Sequence, residues 1–78
     1  MTLVIALSEL SKARRLVADG EKCMVRQRGI VAKLERQGYD TLDAILFLEY
    51  LEEMQEQYVA HRNRLEQQVL GLVRPGED

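Results

Sequence analysis

The stretch KLERQGYDTLDAILFLEYLEEM, Lys33 to Met54, decides the fold of this chain. A polar, helix-like run stops at Gly38, because glycine reaches the left-handed conformation that follows a helix end without a steric clash. A second helical run starts at Asp40 or Thr41, both of which are residue types that cap helix starts. So short a connection makes consecutive helices antiparallel neighbours. The sequence therefore predicts an all-α fold, a long antiparallel helical hairpin with Gly38, Asp40 and Thr41 in its turn.

The predicted hairpin is a single domain over residues 1–73, with helices over about 3–37 and 42–70, a turn at 38–41 and a flexible tail at 74–78. Ser8 or Ser11 could also start the first helix, and TLVIAL before them would pass as a short strand. The first predicted seam alternates steps of three and four residues, as in packed helices: Leu3, Ala6, Leu10, Ala13, Val17, Gly20, Met24, Gln27, Val31 and Leu34. The second seam reads Ala44, Phe47, Leu51, Met54, Tyr58, His61, Leu65, Gln68 and Leu72.

The apolar residues exceed what one hairpin can bury. A third line, with seven-residue spacing, flanks the first seam, and AILFLEYL is apolar in nearly all directions. A soluble monomer rarely exposes a large apolar patch, and two hairpins packed as a homodimeric four-helix bundle would cover it. The predicted interface consists of Leu16, Cys23, Ile30, Ile45, Leu46, Phe47, Leu48, Tyr50 and Leu51.

Three polar residues fall near the middle of the predicted core. Gln27 interrupts the first seam, and the hairpin register places it near Glu52 and Gln55. A polar layer of this kind commonly fixes register and oligomeric state at some cost in stability. We therefore expect Gln27→Leu to raise the melting temperature or to blur the oligomeric state.

Charge is divided unevenly along the 78 residues, although the net charge is only −2. Residues 1–39 hold eight Lys or Arg against four Asp or Glu, and residues 40–78 hold three against nine. Pairing between the two helices is the favoured interpretation, with Arg28 and Arg36 alongside the acidic run from Asp43 to Glu53. The alternative is a nucleic-acid partner bound by the basic first helix. It is disfavoured because the basic residues are distributed around the helix without interleaved aromatic residues.

No catalytic, cofactor-binding or metal-binding motif is evident. His61 is predicted to be a partly buried side chain bonded to a polar neighbour, since no orienting partner for a general base is visible. The acidic run of the second helix lacks the Glu-x-x-His pattern of carboxylate-bridged metal sites, and is typical of a solvated face. Cys23 is either a small apolar filler or a redox-sensitive thiol. We therefore predict that the protein is not an enzyme and holds no cofactor.

The sequence also predicts a cytoplasmic protein without a membrane segment. LVIAL, Leu3 to Leu7, is too short for a signal peptide core or a membrane span. A single unpaired cysteine fits a reducing compartment.

Arg14 to Leu65 contains a series of short motifs: Gly20-Glu21, Arg26-Gln27-Arg28, Gly38-Tyr39-Asp40-Thr41 and a segment from His61 to Leu65. In this arrangement the chain resembles a group of short uncharacterised proteobacterial helical-hairpin proteins of unknown function. The last segment departs from the pattern of that group, in which His, Arg and Leu are spaced more widely. The resemblance implies the hairpin fold and implies no activity.

These observations together predict a non-enzymatic interaction or assembly protein. It would act as a homodimer and would bind a protein partner through a helix. The alternative is a small regulatory protein that binds nucleic acid through its basic first helix.

Overall fold

The computed structural model describes residues 2–73, which form two α-helices, α1 (Leu3–Arg36) and α2 (Leu42–Val73). The helices pack side by side in opposite directions and form a rod of 64 × 16 × 14 Å. Its radius of gyration is 17.9 Å, whereas a compact domain of this length would have about 11–12 Å. The predicted all-α helical hairpin is therefore confirmed.

The first helix begins at Leu3, before both of the serine residues that could have capped its start. Thr2 is its N-cap, and the Thr2 Oγ1 accepts a hydrogen bond of 3.2 Å from the Ile5 amide. Ser8 and Ser11 lie inside the helix, so neither starts it. The segment TLVIAL is therefore the capped first turn and a half of α1 rather than a strand.

The turn satisfies the free backbone groups of both helices. Gly38 has a φ of 75°, and its amide donates to the Glu35 carbonyl at 3.1 Å. The Tyr39 amide donates to the Leu34 carbonyl at 3.0 Å, which completes a Schellman motif. Both Asp40 and Thr41 support the start of α2: the Asp40 Oδ1 accepts a 3.0 Å bond from the Leu42 amide, and the Thr41 carbonyl accepts the first helical bond, 2.9 Å from the Ile45 amide.

The bounds differ slightly from those expected. α1 ends at Arg36 with Gln37 as its C-cap, and α2 reaches Val73, three residues beyond the expected end. The expected tail at residues 74–78 lies outside the described residues.

The core between the helices is narrow. Its buried apolar members are Ala6, Leu10, Ala13, Met24 and Leu65. Leu10, Ala13 and Leu65 form one cluster, against which Val69 packs. Among the described residues no large side chain is fully buried, so the hairpin has only a single thin apolar layer.

The second seam was predicted with the wrong rotation of α2. Phe47 is 50% exposed, and His61 and Gln68 are exposed as well. The residues that turn toward α1 instead follow steps of four and then three: Ala44, Leu48, Leu51, Gln55, Tyr58, Arg62, Leu65 and Val69. The predicted and the observed seam share Ala44, Leu51, Tyr58 and Leu65. Because the AILFLEYL segment is apolar on every side, its sequence does not distinguish the two rotations. The observed rotation brings Leu48 and Val69 inward in place of Phe47 and Gln68, and it lets Gln55 reach the backbone of α1.

Candidate interaction site

A shallow apolar groove of about 170 Å³ runs between the helices on one side of the hairpin. Four of the nine residues predicted for an interface meet in it, two from each helix. The residues that line it are Leu16, Asp19, Gly20 and Cys23 from α1 and Tyr50, Leu51, Met54 and Tyr58 from α2.

Two further apolar residues extend this groove toward the turn. The Phe47 ring stacks on the Tyr50 ring, with centroids 6.1 Å apart and planes 17° from parallel. Ile30 continues the seven-residue line of Leu16 and Cys23, and it is 43% exposed. We call this surface the groove face and define it by Leu16, Cys23, Ile30, Phe47, Tyr50 and Met54.

The remaining predicted interface residues do not join the groove face. Ile45 and Leu48 are half-buried, and Leu48 lies on the inward seam with Gln55. Ile45 shares its seven-residue line with Glu52, on the opposite side of α2. Leu46 is 53% exposed and points away from α1. AILFLEYL is therefore divided among several directions and does not form one face.

The two glutamines of the predicted polar layer are both buried, Gln27 with 8% and Gln55 with 6% exposure. They do not bond to each other. The Gln27 Nε2 donates to the Ala44 carbonyl at 2.9 Å, and the Gln55 Nε2 donates to the Val17 carbonyl at 2.9 Å. The layer thus consists of two separate bonds, each from one helix to the backbone of the other.

Glu52 was expected in this layer but lies at the surface. It pairs with Arg28 at 3.8 Å, and both side chains are about half exposed. The same side of the hairpin carries the Arg14–Glu66 pair at 3.5 Å. Exposed pairs of this kind contribute about 0–1 kcal/mol each, so they set register more than stability.

Gly20 is a packing position between the helices that the sequence does not reveal by residue type alone. A methyl group at this position would overlap the Gln55 Oε1, which has no hydrogen-bond partner among the described residues. The available signal was a glycine within a helical seam, which commonly marks a close approach by another group.

The opposite side of the hairpin, which we call the acidic face, has a larger open groove of about 410 Å³. Glu52, Glu56 and Val59 line it together with the buried Met24. Glu49 and Glu53 are exposed beside it, so this acidic run is solvated. Within residues 2–73 no group of three or more His, Cys, Asp or Glu is placed to hold a metal ion.

The basic residues of α1 are less evenly distributed than expected. Arg14 and Arg28 form the two ion pairs that join α1 to α2, and Arg36, expected to pair, forms none with a described residue. The other six basic side chains are exposed on two adjacent seven-residue lines that face away from α2. This basic face comprises Lys12, Arg15, Lys22, Arg26, Lys33 and Arg36. The hairpin thus accounts for only part of the charge asymmetry.

The two potentially reactive side chains lie in different surroundings. His61 is exposed, so the expectation of a partly buried histidine is wrong, and the rotation of α2 is the reason. Cys23 is half-buried in the groove, which is the environment expected of an apolar filler.

Within the described part of the chain, neither helix combines the length and the hydropathy needed to cross a bilayer. Comparison of the chain with protein-family models, with curated proteins and with solved structures finds no match in any of the three.

Proposed function

We propose that this chain is a non-enzymatic helical interaction protein that acts as a homodimer, a four-helix bundle closed through the groove face, and that the bundle binds protein partners through its helices. One observation carries the proposal. The groove face exposes about half of four large apolar or aromatic side chains, a residue type that normally packs in a core: Leu16 and Ile30 are 43% exposed, Phe47 is 50% and Tyr50 is 55% exposed.

The energetics favour a second layer of packing. Buried apolar area stabilises a fold by roughly 25 cal/mol per Å², and covering a few hundred Å² on each copy is on the order of several kcal/mol. A single hairpin leaves this apolar area exposed to water and therefore lacks the stabilisation that its burial would give. Packing two groove faces together would give each helix two neighbours, as in a four-helix bundle.

The charges favour the groove face over the acidic face as the contact between copies. A twofold axis brings each surface against itself. A contact through the acidic face would have to bury the carboxylates of Glu52 and Glu56, and desolvating charged groups is costly. The groove at the centre of the groove face is lined by one carboxylate, Asp19, among mostly apolar side chains.

Two adjacent residues provide a matched test. Phe47 and Leu46 are exposed to 50% and 53%, but Phe47 extends the groove face and Leu46 points away from it. We expect Phe47→Asp to convert the dimer into a monomer in sedimentation equilibrium, whereas Leu46→Asp stays dimeric. Equal effects of the two substitutions, or none, would contradict the proposed interface.

A second candidate function is the binding of nucleic acid, and the basic face supports it. Five of its six cations form no ion pair with a described residue; the exception is Lys12, which lies 3.3 Å from Glu9. Phosphate binding would show as retention on DNA or RNA that falls steeply with added salt. Retention that is absent at low salt would exclude this candidate.

A further inference from the structure

The groove face is apolar only in the half of the hairpin next to the turn. On α1 its seven-residue line reads Glu9, Leu16, Cys23 and Ile30, so it becomes apolar toward the turn. On α2 the line reads Phe47, Met54, His61 and Gln68, so it becomes polar away from the turn. The register lies between that of the Arg28–Glu52 ion pair and that of the Gln27–Ala44 hydrogen bond, which places Ile30 about level with Phe47 and Cys23 with Met54.

A twofold dimer that packs this face against itself has two simple arrangements. In one, both turns lie at the same end, and α1 of each copy runs along α2 of the other. In the other, the turns lie at opposite ends, and each helix runs along its own copy. We infer that the two hairpins pair with both turns at the same end; this inference rests on the proposed homodimer.

The apolar residues match better in the same-end arrangement, in which only Leu16 of these lines meets a polar residue, whereas the opposite-end arrangement matches only Leu16 with Cys23. The same-end arrangement sets Ile30 of one copy against Phe47 of the other, and Cys23 against Met54, with the polar halves together at the far end. The opposite-end arrangement, with full overlap, sets Ile30 against Glu9. It would bury apolar side chains against charged or polar ones, which forfeits most of the stabilisation.

The charges of the helices favour the same arrangement. α1 has eight Lys or Arg against four Asp or Glu, and α2 has two against six. The same-end dimer places each basic helix beside an acidic one, whereas the opposite-end dimer places basic beside basic. The opposite-end dimer would also bring the two copies of Asp19, which lines the groove, toward each other. One contact opposes the same-end dimer, since Lys12 falls near the level of Arg64.

The arrangement has a structural consequence for the whole assembly. The open end of each hairpin, opposite its turn, lies at the same end of the bundle as that of the other copy. This end also carries exposed apolar residues: Leu3, Val4, Ile5, Leu7, Leu70, Leu72 and Val73. The two α1 helices lie at diagonal corners, so the basic faces point outward on opposite edges.

Distances between paired spin labels test the inference. Single cysteines replace Tyr39 in the turn, which is 64% exposed, or Val4 near the open end, which is 77% exposed. Both are made in a Cys23→Ala background, whose dimeric state is first checked by light scattering. Because neighbouring helix axes lie about 8–10 Å apart, the same-end dimer predicts label separations within about 35 Å at both sites.

The other outcomes are distinct. The opposite-end dimer places the labels roughly 50 Å apart at both sites, because α1 has 34 residues with a rise of about 1.5 Å each. A short separation at position 39 with none detectable at position 4 would indicate an offset dimer, and would overturn the inference as well. Absence of any dipolar coupling in either sample would overturn the proposed dimer itself. Coupling that survives Phe47→Asp would place the contact on another face.

Discussion

Gln55 crosses the hairpin over Gly20, and the missing side chain at Gly20 leaves the room for it. The Gln55 Nε2 then reaches the Val17 carbonyl at 2.9 Å, while its Oε1 lies where a methyl group on residue 20 would be. Because Gln55 occupies a seam position, this contact selects the rotation of α2 about its axis. That rotation in turn sends Phe47 to the groove face.

We predict that Gly20→Ala destabilises the hairpin even though alanine favours helix. The added methyl group displaces Gln55 and breaks its bond to Val17, at a cost of about 1–3 kcal/mol, against a helix-propensity gain of about 1 kcal/mol. Gly29→Ala is the matched control, since nothing lies within 4 Å of its added methyl group. Urea unfolding should show Gly29→Ala more stable than the wild type and Gly20→Ala less stable.

The same contact can be tested by a double-mutant cycle. In a Gln55→Ala background the steric conflict is gone, so Gly20→Ala should become neutral or stabilising there. If Gly20→Ala costs the same free energy of unfolding in both backgrounds, the two residues do not interact as described.

Gln27→Leu is expected to leave stability unchanged or to raise it by about 1 kcal/mol. Its Nε2 donates to the Ala44 carbonyl, and a helix carbonyl retains its partner within the helix, so the substitution leaves no buried acceptor unpaired. A polar residue in the seam commonly specifies the oligomeric state, so light scattering on the variant should show mixed species. A clear fall in melting temperature with the dimer unchanged would contradict the expectation.

Arg26 and Arg28 separate the two candidate functions. Arg28 pairs with Glu52 within the hairpin, whereas Arg26 is on the basic face and forms no ion pair with a described residue. Arg28→Glu should lower the free energy of unfolding by up to about 1 kcal/mol. If the basic face binds nucleic acid, Arg26→Glu should reduce retention on it more than Arg28→Glu does. Equal loss of retention from both would point to a general charge effect.

The turn and the rotation of α2 show what the sequence can and cannot predict here. Gly38 and Asp40 act through local backbone chemistry, which residue type alone indicates. The rotation is fixed by contacts between the helices such as that of Gln55 with Gly20, residues 35 positions apart, and no local pattern encodes such contacts. The start of α1 at Leu3 agrees with the expected bound, although residue type alone does not separate Thr2 from Ser8 as its cap.

The central claim is that the hairpin is completed by a second copy. Light scattering on the wild-type chain at micromolar concentration, with thermal unfolding followed at several concentrations, tests it most directly. The account predicts twice the mass of one chain and a melting temperature that rises with concentration. A stable, folded monomer with a melting temperature independent of concentration would contradict it.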